Sequence, residues 1–500
     1  MEMQEYLLLN EIGLVADTEL GKKIMNNHKP ASVDEFRRVV PFTTYEDYAP
    51  YLDEQREDVL YEKPHAWLHT SGRTGAFKWI PFNLSFYQAL IDNVIGSIIL
   101  ACATEKGEIL LKGGERAIAN LPPPPYAPGF VIADVAKSIN LQLIPPLEIA
   151  NQMEFKERIE KAFKMAIGTR IDIVGSLSSI LVKIGEAFTE RKGGMEYSLS
   201  MLHPAAIFRI ARAVLRAKME KRQMLPKDLW SVKCIFGAGT DADVYRDKVM
   251  YYWGKNPYQS YGAMEIGNVA MQSWTKKTMT FIPYFSFLEF IPEEESFKSR
   301  QEQGYKPSTV LLNEVKAGEC YEIVGTNFHG MPFMRYRPGD LIEIVSLKDN
   351  ETGISTPQMV FKSRADDLID IAAFTRLDEK TIWQAINGIG ITYADWTILK
   401  EYVDNEPILH LYIEPKEHID SEEYGRWFHD QLKEIDRFYN DLDKMLELKP
   451  VKVTILSEGT FDRYYQEKSD AGVELAYLKP PHMNARSDMI ESLVRLSREA

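Results

Sequence analysis

The sequence predicts an α/β fold in which a large N-terminal domain, with β-sheets flanked by helices, precedes a small α+β module. Residues 171–181 read as a strand, a turn of small residues and a helix, a unit typical of α/β folds. Residues 85–100 carry apolar side chains every three to four positions, as in a helix buried along one face. Residues 408–413 and 451–456 read as strands around a charged amphipathic helix over 422–448, which predicts the α+β module.

Local signals place further elements along the chain. Residues 1–60 have helical spacing with charged faces and predict a helical lead-in, in which Thr44 is an N-cap. Apolar and aromatic stretches on both sides of residues 69–78 predict the two strands of a hairpin. Ser85 is the predicted N-cap of the helix that follows, and residues 231–240 read as a short strand ending in small residues. Helices and strands therefore alternate through the N-terminal part.

Length and charge limit the class of protein. A chain of 500 residues with 45% hydrophobic content exceeds the size at which one core stops growing, so two or three domains are expected. The formal net charge of −14 at pH 7 argues against a nucleic-acid partner, because such proteins carry an excess of Lys and Arg. An anionic ligand would have to be held by a local group of cations.

Cysteine usage and the N-terminal residues bear on the compartment. Cys102, Cys234 and Cys320 are widely separated, so neither a disulfide framework nor a zinc cluster is predicted. The first five residues are acidic and lack the basic stretch of a secretory signal. Residues 89–104 form the most apolar window, which is interrupted by polar residues and shorter than a bilayer span. We therefore expect a cytoplasmic protein without membrane insertion.

The stretch His69–Lys78 is a candidate phosphate-binding loop. Its hydroxyl, glycine and cationic residues are Thr70, Ser71, Gly72, Arg73, Thr74 and Lys78. Glycines let backbone N–H groups turn toward an anion, hydroxyls add donors, and arginine and lysine add charge. The GxxxxGK[ST] spacing of a Walker loop and a directly following helix are both missing. An ordinary Gly/Ser turn is the alternative.

Four later segments place chemically useful residues beside turns. In chain order they contain a small-residue slot (Gly237, Ala238, Gly239), a Tyr-Gly-x-x-Glu segment (Tyr261, Gly262, Glu265), a Tyr-Arg-x-Gly-Asp segment that ends a strand at Asp340, and an Arg-x-Asp segment (Arg364, Asp366). A backbone-lined slot suits a flat base, and the carboxylates suit hydroxyl groups or a metal ion. Each segment is weak evidence alone, whereas their order and combination are distinctive.

Together these five segments resemble the signature set of the adenylate-forming superfamily, which includes acyl-CoA ligases, luciferases and peptide-synthetase adenylation domains. Within it the chain is most similar to the Gretchen Hagen family of auxin-responsive acyl-acid amido synthetases and their microbial relatives. The residues that carry this narrower resemblance are 40–48, Thr70-Ser71-Gly72, Tyr261-Gly262, 336–340, and the tail from 459–461 to 479–481. The resemblance covers nearly the whole chain. It implies a ligase that activates a small-molecule carboxylic acid as acyl-AMP, with ATP and Mg²⁺ as cofactors.

The resemblance implies roles for the candidate residues. Those that would contact the phosphates of ATP are Thr70, Ser71, Thr74 and Lys78. Glu265 matches the glutamate associated with Mg²⁺, an ion that takes one or two carboxylates together with phosphate oxygens and waters. Tyr261 would stack on adenine, and Asp340 would accept both ribose hydroxyls. Arg73 stands where the family usually has Thr or Ser, so its role is open.

The resemblance also implies two domains. Residues 1–365 would form the large adenylation domain, and residues 366–500 a mobile α+β lid, with Arg364 and Asp366 at the junction. Lys479 falls near the position of a lysine that bridges the acyl carboxylate and the α-phosphate. Its surroundings match the family pattern only in part, so a solvated lysine before a Pro-Pro turn is the alternative.

The junction bears on the acyl acceptor. Many CoA ligases continue the Arg-x-Asp junction with Ile-Lys-x-x-Gly, whereas residues 369–373 read Ile-Asp-Ile-Ala-Ala. The missing lysine and glycine favour an amine or amino acid as acceptor over CoA. Transfer to the thiol of CoA is the alternative, and a non-catalytic nucleotide-binding module is a further one.

Overall fold

A computed structural model describes residues 1–71, 77–121, 123–153, 155–190, 204–238, 245–302, 304–365, 368–371, 375–403, 406–446, 448, 451–470, 482–485 and 487–498. The helices are α1 Glu2–Val15, α2 Glu19–Ile24, α3 Val33–Val39, α4 Ala49–Leu52, α5 Leu84–Cys102, α6 Ala127–Ser138, α7 Leu147–Ala150, α8 Phe155–Gly168, α9 Ser178–Glu190, α10 Pro204–Met219, α11 Pro226–Leu229, α12 Arg246–Trp253, α13 Glu293–Gln301, α14 Glu379–Gly388, α15 Ser421–Ile435, α16 Arg437–Leu446, α17 Thr460–Asp470 and α18 Ser487–Arg498. Single 3₁₀ turns span Tyr45–Asp47 and Glu57–Val59.

The strands within the described residues form five sheets. They are β1 Ala66–Ser71, β2 Phe77–Phe82, β3 Arg116–Ala119, β4 Gln142–Leu143, β5 Ile173–Leu177, β6 Cys234–Ala238, β7 Pro257–Tyr258, β8 Ser260–Ala263, β9 Gly267–Gln272, β10 Met279–Phe281, β11 Ser286–Pro292, β12 Val310–Leu311, β13 Cys320–Asn327, β14 Asp340–Ser346, β15 Gln358–Arg364, β16 Ile369–Ile371, β17 Thr375–Leu377, β18 Tyr393–Val403, β19 Glu406–Pro415 and β20 Lys452–Ile455.

A parallel sheet of order β4-β3-β5-β6-β7 confirms the α/β prediction. Its side chains alternate between two cores, as a period of two requires. Ala117, Ile173 and Cys234 face the core that contains α5 and α6, while Ile118 and Val174 belong to the core that contains α8, α9 and α12. The sheet is therefore covered by helices on both faces, as parallel sheets usually are.

The second large sheet is antiparallel, with the order β12-β11-β13-β14-β15-β10-β9-β8. Helix α5 lies between the two large sheets, in contact with β6 and β9. Its N-cap is Asn83, whose Oδ1 accepts a hydrogen bond from the Phe86 N–H at 2.9 Å. The prediction of Ser85 as the cap was wrong by two residues. Asn and Ser are nearly equal as N-caps, so local sequence does not separate them.

Helix α5 is also longer than its predicted apolar window. With 19 residues it is long and apolar enough, by length and composition, to cross a membrane, although 39% of its most apolar part is buried inside the protein. The expectation that the apolar stretch around residues 89–104 is too short to span a bilayer was therefore wrong, because the helix that contains most of it has 19 residues. The packing of α5 between two sheets is typical of a core helix. The absence of membrane insertion remains a prediction.

The structure brings two of the three cysteines together. The Cys102 Sγ, at the end of α5, and the Cys234 Sγ, at the start of β6, lie 3.2 Å apart as buried free thiols. Their hydrogen bond, together with burial, holds the pKa of Cys234 well above its usual range, while the same bond lowers the pKa of Cys102. Sequence separation concealed this contact, since it depends on how α5 packs on the parallel sheet.

Ion pairs with two buried carboxylates fix Arg37 of α3 and the motif arginines Arg335 and Arg337 to the antiparallel sheet. Glu322 on β13 is fully buried and accepts hydrogen bonds from Arg337 at 2.9 and 2.7 Å and from Arg300 at 3.0 Å. Glu289 on β11 is paired in the same way with Arg335 at 2.9 Å. Arg337 in the Tyr-Arg-x-Gly-Asp segment therefore has a structural partner.

We expect Glu322→Ala to lower the free energy of unfolding by about 3 kcal/mol, the lower end of the range for a broken buried pair, because the half-buried Arg300 and Arg337 guanidinium groups lose the buried carboxylate that they share. Urea unfolding measures this loss. The control is Glu351→Ala, which removes the exposed partner of Lys277 and should cost less than about 1 kcal/mol. Equal losses in the two variants would contradict the assignment of the Glu322 pairs as structural.

The C-terminal part contains α14–α18 and the sheet β18-β19-β20, in which β18 and β19 are antiparallel and β19 and β20 parallel. The predicted single helix over 422–448 is two helices, because Asp436 between them is not helical and its Oδ1 accepts from the Tyr439 N–H at 2.7 Å. The core around the large sheets extends in sequence to Phe361, and a separate core begins at Ile369. The division at 365/366 remains a prediction.

Candidate active site

Three predicted residues meet where β14 and β15 pair. Asp340, the first residue of β14, is the register partner of Arg364, the last residue of β15. Arg364 Nη1 donates to Asp340 Oδ1 at 2.7 Å, and the Tyr261 hydroxyl donates to Asp340 Oδ2 at 2.9 Å. Both charged side chains are about 10% exposed. Burial and the nearby Asp340 charge raise the pKa of Tyr261 well above its usual range, so it is a permanent donor.

Asp340 begins a strand, whereas the sequence predicted that it ends one. The preceding Gly339 has a φ of +83°, a backbone conformation that glycine adopts without strain. In the segment Tyr336–Gly339 before it, Tyr336 forms single β-bridges to Gly325 and Thr43, and the segment is not a strand. The turn therefore delivers the carboxylate to the start of β14, directly opposite the junction arginine.

A second group forms around Glu265, which follows β8. The Tyr336 hydroxyl donates to Glu265 Oε1 at 2.6 Å, and Lys78 Nζ donates to the same oxygen at 3.3 Å and to the Tyr336 hydroxyl at 3.0 Å. Lys78 Nζ also lies 5.3 Å from the centre of the Tyr45 ring, a cation–π distance. The hairpin β1–β2 and the Tyr-Gly-x-x-Glu segment, which are far apart in sequence, therefore meet in space.

Glu265 is ionised in this setting. Burial alone would raise its pKa, but the Lys78 charge and the Tyr336 hydrogen bond outweigh it, and the pKa lies below its ordinary value. Both of these hydrogen bonds go to Oε1. Oε2 takes part in no side-chain hydrogen bond recorded among the described residues. A buried carboxylate with this arrangement fits Mg²⁺, which needs only one or two protein carboxylates when phosphate oxygens complete its shell.

Two cavities adjoin these groups. The larger has a volume of about 510 Å³, and the predicted residues that line it are Gly237, Tyr261, Gly262, Asp340 and Arg364. The smaller, of about 110 Å³, is lined by five cationic side chains, those of Lys78, Arg300, Arg337, Arg364 and Arg376. Arg364 and Arg376 line both. A largely apolar cavity with a charged end thus opens beside a smaller one that is rich in cationic side chains, each paired with a carboxylate. This arrangement suits a ligand with an organic part and a polyanionic part.

Close packing requires glycine at two positions of the site. A Cβ on Gly237 would lie 2.6 Å from the Pro257 Cβ, and a Cβ on Gly262 would lie 2.4 Å from the Gly267 carbonyl oxygen. Both approaches are closer than side chains tolerate. Larger residues at these positions would therefore displace β7 or β9, which form walls of the larger cavity.

Several predicted residues lie outside the described residues: Gly72, Arg73, Thr74, Gly239, Asp366 and Lys479. Ser71 and Ala238 are described only as the ends of β1 and β6. Thr70 is the register partner of Lys78 in the hairpin, so the two ends of the 69–78 stretch are adjacent. The roles of all these residues remain predictions.

Sequence reasoning missed four residues of the site. Tyr336 and Tyr45 hold Lys78 and Glu265 in place, and Asp370 and Arg376 line the larger cavity with an Arg376 Nε to Asp370 Oδ2 distance of 3.4 Å. Tyr336 stands in the Tyr-Arg-x-Gly-Asp segment and was available as a signal. Asp370 occupies the position of the lysine in the CoA-ligase junction. The change from a positive to a negative side chain at this position was a second signal in the sequence.

His482 anchors the described end of the tail that contains Lys479. Its Nε2 lies 2.9 Å from Asp395 Oδ1, its Nδ1 contacts Glu379, and its ring stacks on Trp396 at 4.3 Å. Burial lowers the pKa of His482, but the two carboxylates outweigh it, and the pKa is raised above 6.5. The protonated imidazole therefore joins the described segment 482–485 to β18 and α14.

We expect His482→Gln to destabilise the protein by about 1.5–3 kcal/mol at pH 6, where hydrogen bonds to a charged group are lost. The raised pKa means that this stabilisation is fully present below the unfolded pKa of about 6.5 and is lost as pH rises through the folded value. The difference between variant and wild type in urea unfolding should therefore shrink at higher pH. The exposed His418→Gln is the control, and a pH-independent difference would contradict the account.

Sequence models of one family match three segments that together make up more than half of the chain. They are the GH3 family N-terminal domain over residues 1–145, the central domain over 279–364 and the C-terminal domain over 379–488. The chain belongs to the GH3 family. The predicted resemblance to the Gretchen Hagen family, within the adenylate-forming superfamily, is confirmed.

Curated relatives are similar over about half of the chain or less. The jasmonoyl–L-amino acid synthetase JAR4 of Nicotiana attenuata is 27% identical over 275 residues, which are 52% of this chain and 45% of that protein. The 4-substituted benzoates–glutamate ligase of Arabidopsis thaliana is 25% identical over 224 residues, 40% of this chain and 36% of that protein. The chain therefore spans about half the length, or less, of the curated relatives it matches.

Solved structures share the fold over nearly the whole chain. The GH3.15 acyl acid amido synthetase in complex with 2,4-DB has a TM-score of 0.54 at 18% identity, covering 99% of this chain and 93% of that one. A 2-hydroxyisobutyryl-CoA ligase in complex with 2-HIB-AMP and CoA has a TM-score of 0.59 at 13% identity, covering 100% and 93%. The GH3-family fold, with its sheets flanked by helices, is that of adenylate-forming enzymes.

Proposed function

We propose that this GH3-family protein is an ATP-dependent ligase that activates a carboxylic acid as acyl-AMP, releases pyrophosphate and transfers the acyl group to an amine. One observation carries the proposal: Asp340, held by Tyr261 and Arg364, lines a cavity that adjoins a cationic one containing Lys78. An acid, a nucleoside and a polyphosphate need these three environments side by side. The names of the relatives support the same reaction class.

The site fits ATP in charge and in hydrogen bonding. The Asp340 carboxylate has two oxygens and can accept both ribose hydroxyls while it keeps its present donors, because each oxygen has more than one acceptor position. The cationic side chains of the smaller cavity offset the charge that a polyphosphate carries. We propose that Tyr261 packs on the adenine and that Lys78, with Thr70 and the hydroxyls of the 69–78 stretch, contacts the phosphates.

Glu265 is the proposed carboxylate for Mg²⁺. The ion, when bound, would neutralise phosphate charge as the acid carboxylate approaches the α-phosphorus. Lys78 and Tyr336 keep Glu265 ionised and fixed in orientation, so that the carboxylate is already charged and positioned for the ion. Lys479 is the proposed contact to the acyl carboxylate, and Arg364 orients Asp340 from the junction.

The acceptor is proposed to be an amine, such as an amino acid, and not CoA. Asp370 stands at the junction position where CoA ligases carry a lysine, and its side chain is buried beside Arg376. An acidic group at this position disfavours the polyanionic CoA. We also propose that residues 366–500 act as a lid, as adenylate-forming enzymes use theirs, and that the protein works in the cytoplasm.

The test is carboxylate-dependent ATP–pyrophosphate exchange with Mg²⁺ across aryl, indolyl and fatty acids. Exchange with one class of acid is expected and would establish acyl-adenylate formation. Mass spectrometry of the product formed with a mixture of amino acids and CoA then identifies the acceptor, and an acyl-CoA thioester would contradict the amine assignment. ATP binding without exchange for any acid would support the non-catalytic module instead.

A further inference from the structure

The larger cavity extends beyond the nucleotide-facing residues into an apolar region, which we call the aliphatic arm. Its lining residues come from α5, α6 and the face of the parallel sheet between them. They include Leu90, Val94, Ile98, Val131, Leu141 and Ile173. The arm is continuous with the residues around Asp340 and Arg364, so a molecule that occupies it reaches the proposed site of adenylation.

The direction of α5 sets the depth of the arm. The end of α5 meets the start of β6 at the Cys102–Cys234 contact, so α5 runs opposite to the parallel strands. Leu90 therefore lies toward the carboxyl ends of the strands and Ile98 toward their amino ends. The eight-residue separation between them corresponds to about 12 Å at about 1.5 Å per residue.

The apolar lining of the arm contains no charged side chain among the described residues. The neutral polar residues Gln259, Ser260 and Asn268 also line the cavity, but they lie on or beside β8 and β9, with Tyr261. All charged side chains that line the cavity, namely Asp340, Arg364, Asp370 and Arg376, come from the junction region. The Ser97 hydroxyl donates to the Met271 sulfur at 3.7 Å, and the Tyr258 hydroxyl donates to the Gln272 carbonyl at 2.6 Å. A hydroxylated, keto or charged tail would lose its water without gaining a partner there.

We infer that the acid activated by this protein is an unbranched aliphatic carboxylic acid of medium chain length. The inference rests on the proposed function and specifies its substrate. A carbon–carbon bond of about 1.5 Å advances about 1.3 Å along an extended chain, so a 12 Å arm holds about nine such bonds and suits acids of roughly eight to ten carbons. A short aryl or indolyl acid would leave the deep half of the arm without contacts.

The test measures kcat/KM for ATP–pyrophosphate exchange with straight-chain acids of increasing length. We expect kcat/KM to rise up to about fourfold per methylene, the equivalent of about 0.8 kcal/mol, to an optimum near eight to ten carbons and then to fall. Ile98→Phe narrows the deep end and should move the optimum to shorter acids. The control is Ile99→Phe on the same helix, at a half-buried position outside the cavity lining, which should leave the optimum in place.

Gly175→Ala is a second variant with little risk to folding, since its Cβ would meet the nearest atom, the Ile118 carbonyl oxygen, at 3.8 Å. It should also disfavour the longer acids. Exchange with aryl or indolyl acids but not with fatty acids, or an optimum unmoved in both arm variants, would overturn the inference and leave the proposed function intact.

Direct binding separates the remaining outcomes. Displacement of a fluorescent fatty acid by decanoate is measured without ATP. Binding that Ile98→Phe weakens, without exchange for any acid, would support the aliphatic arm and reject the ligase reaction. Neither binding nor exchange with any fatty acid would reject the arm as an acid site.

Discussion

Asp340→Ala is expected to reduce ATP–pyrophosphate exchange by about 10²–10⁴-fold. The substitution removes an ionised acceptor, and each hydrogen bond to a charged group contributes about 1.5–3 kcal/mol. It also leaves the Arg364 guanidinium without the partner that lies 2.7 Å away. The loss should appear mainly as weaker ATP use, measured as kcat/KM for ATP at saturating acid.

The matched control for Asp340→Ala is Asp228→Ala. Asp228 is a fully buried aspartate paired with Arg222 at 2.6 Å, and it lines neither cavity. Its loss should destabilise the protein by a similar amount, since each change breaks a buried ion pair, and should spare exchange per folded molecule. Wild-type exchange in folded Asp340→Ala would remove Asp340 from the mechanism.

Glu265→Gln is expected to lower exchange by about 10²–10³-fold, the scale seen when one preorganised electrostatic contact is removed. Glutamine keeps the size of the side chain and can still accept from Tyr336, but it carries no charge for Lys78 or for Mg²⁺. The variant should therefore require more Mg²⁺ for half-maximal exchange. A Mg²⁺ titration of the exchange rate measures both effects.

Glu115→Gln provides the comparison for Glu265→Gln. Glu115 is also buried and is paired with a lysine, Lys233, at 2.8 Å, but it lines neither cavity. Its substitution should change stability and leave the Mg²⁺ requirement as it is. A Mg²⁺ requirement that is unchanged in Glu265→Gln would show that this carboxylate serves only to hold Lys78.

Local sequence was sufficient for the elements that short-range chemistry decides. The apolar and aromatic stretches predicted the β1–β2 hairpin, although its strands extend into the 69–78 stretch as far as Ser71 and Phe77. Thr44 stands at the N-cap as predicted, but of a 3₁₀ turn, where its N–H donates to Asp47 at 2.8 Å. Local sequence was insufficient where two neighbouring residues are about equally good N-caps. Asn83, and not Ser85, caps α5, and Asp436 interrupts an otherwise continuous amphipathic pattern because its carboxylate caps α16.

The candidate site depended on contacts across the chain. The order of the motifs indicated that Asp340 and Arg364 belong to one site, yet their pairing follows from the β14–β15 register. The Lys78–Tyr336 contact joins residues 258 positions apart, and the Cys102–Cys234 contact joins residues 132 positions apart. Packing of helices and sheets creates such contacts, and no periodicity within one segment records them.

The most direct test of acyl-adenylate formation uses an acid whose carboxylate is labelled with ¹⁸O, chosen as the acid that supports the fastest exchange. Attack of the carboxylate on the α-phosphorus, followed by transfer to the amine, places one ¹⁸O atom in AMP, detected by mass spectrometry as a shift of 2 Da. We predict labelled AMP and unlabelled pyrophosphate. Formation of ADP together with ¹⁸O-labelled inorganic phosphate would contradict the account, because it would show an acyl phosphate in place of acyl-AMP.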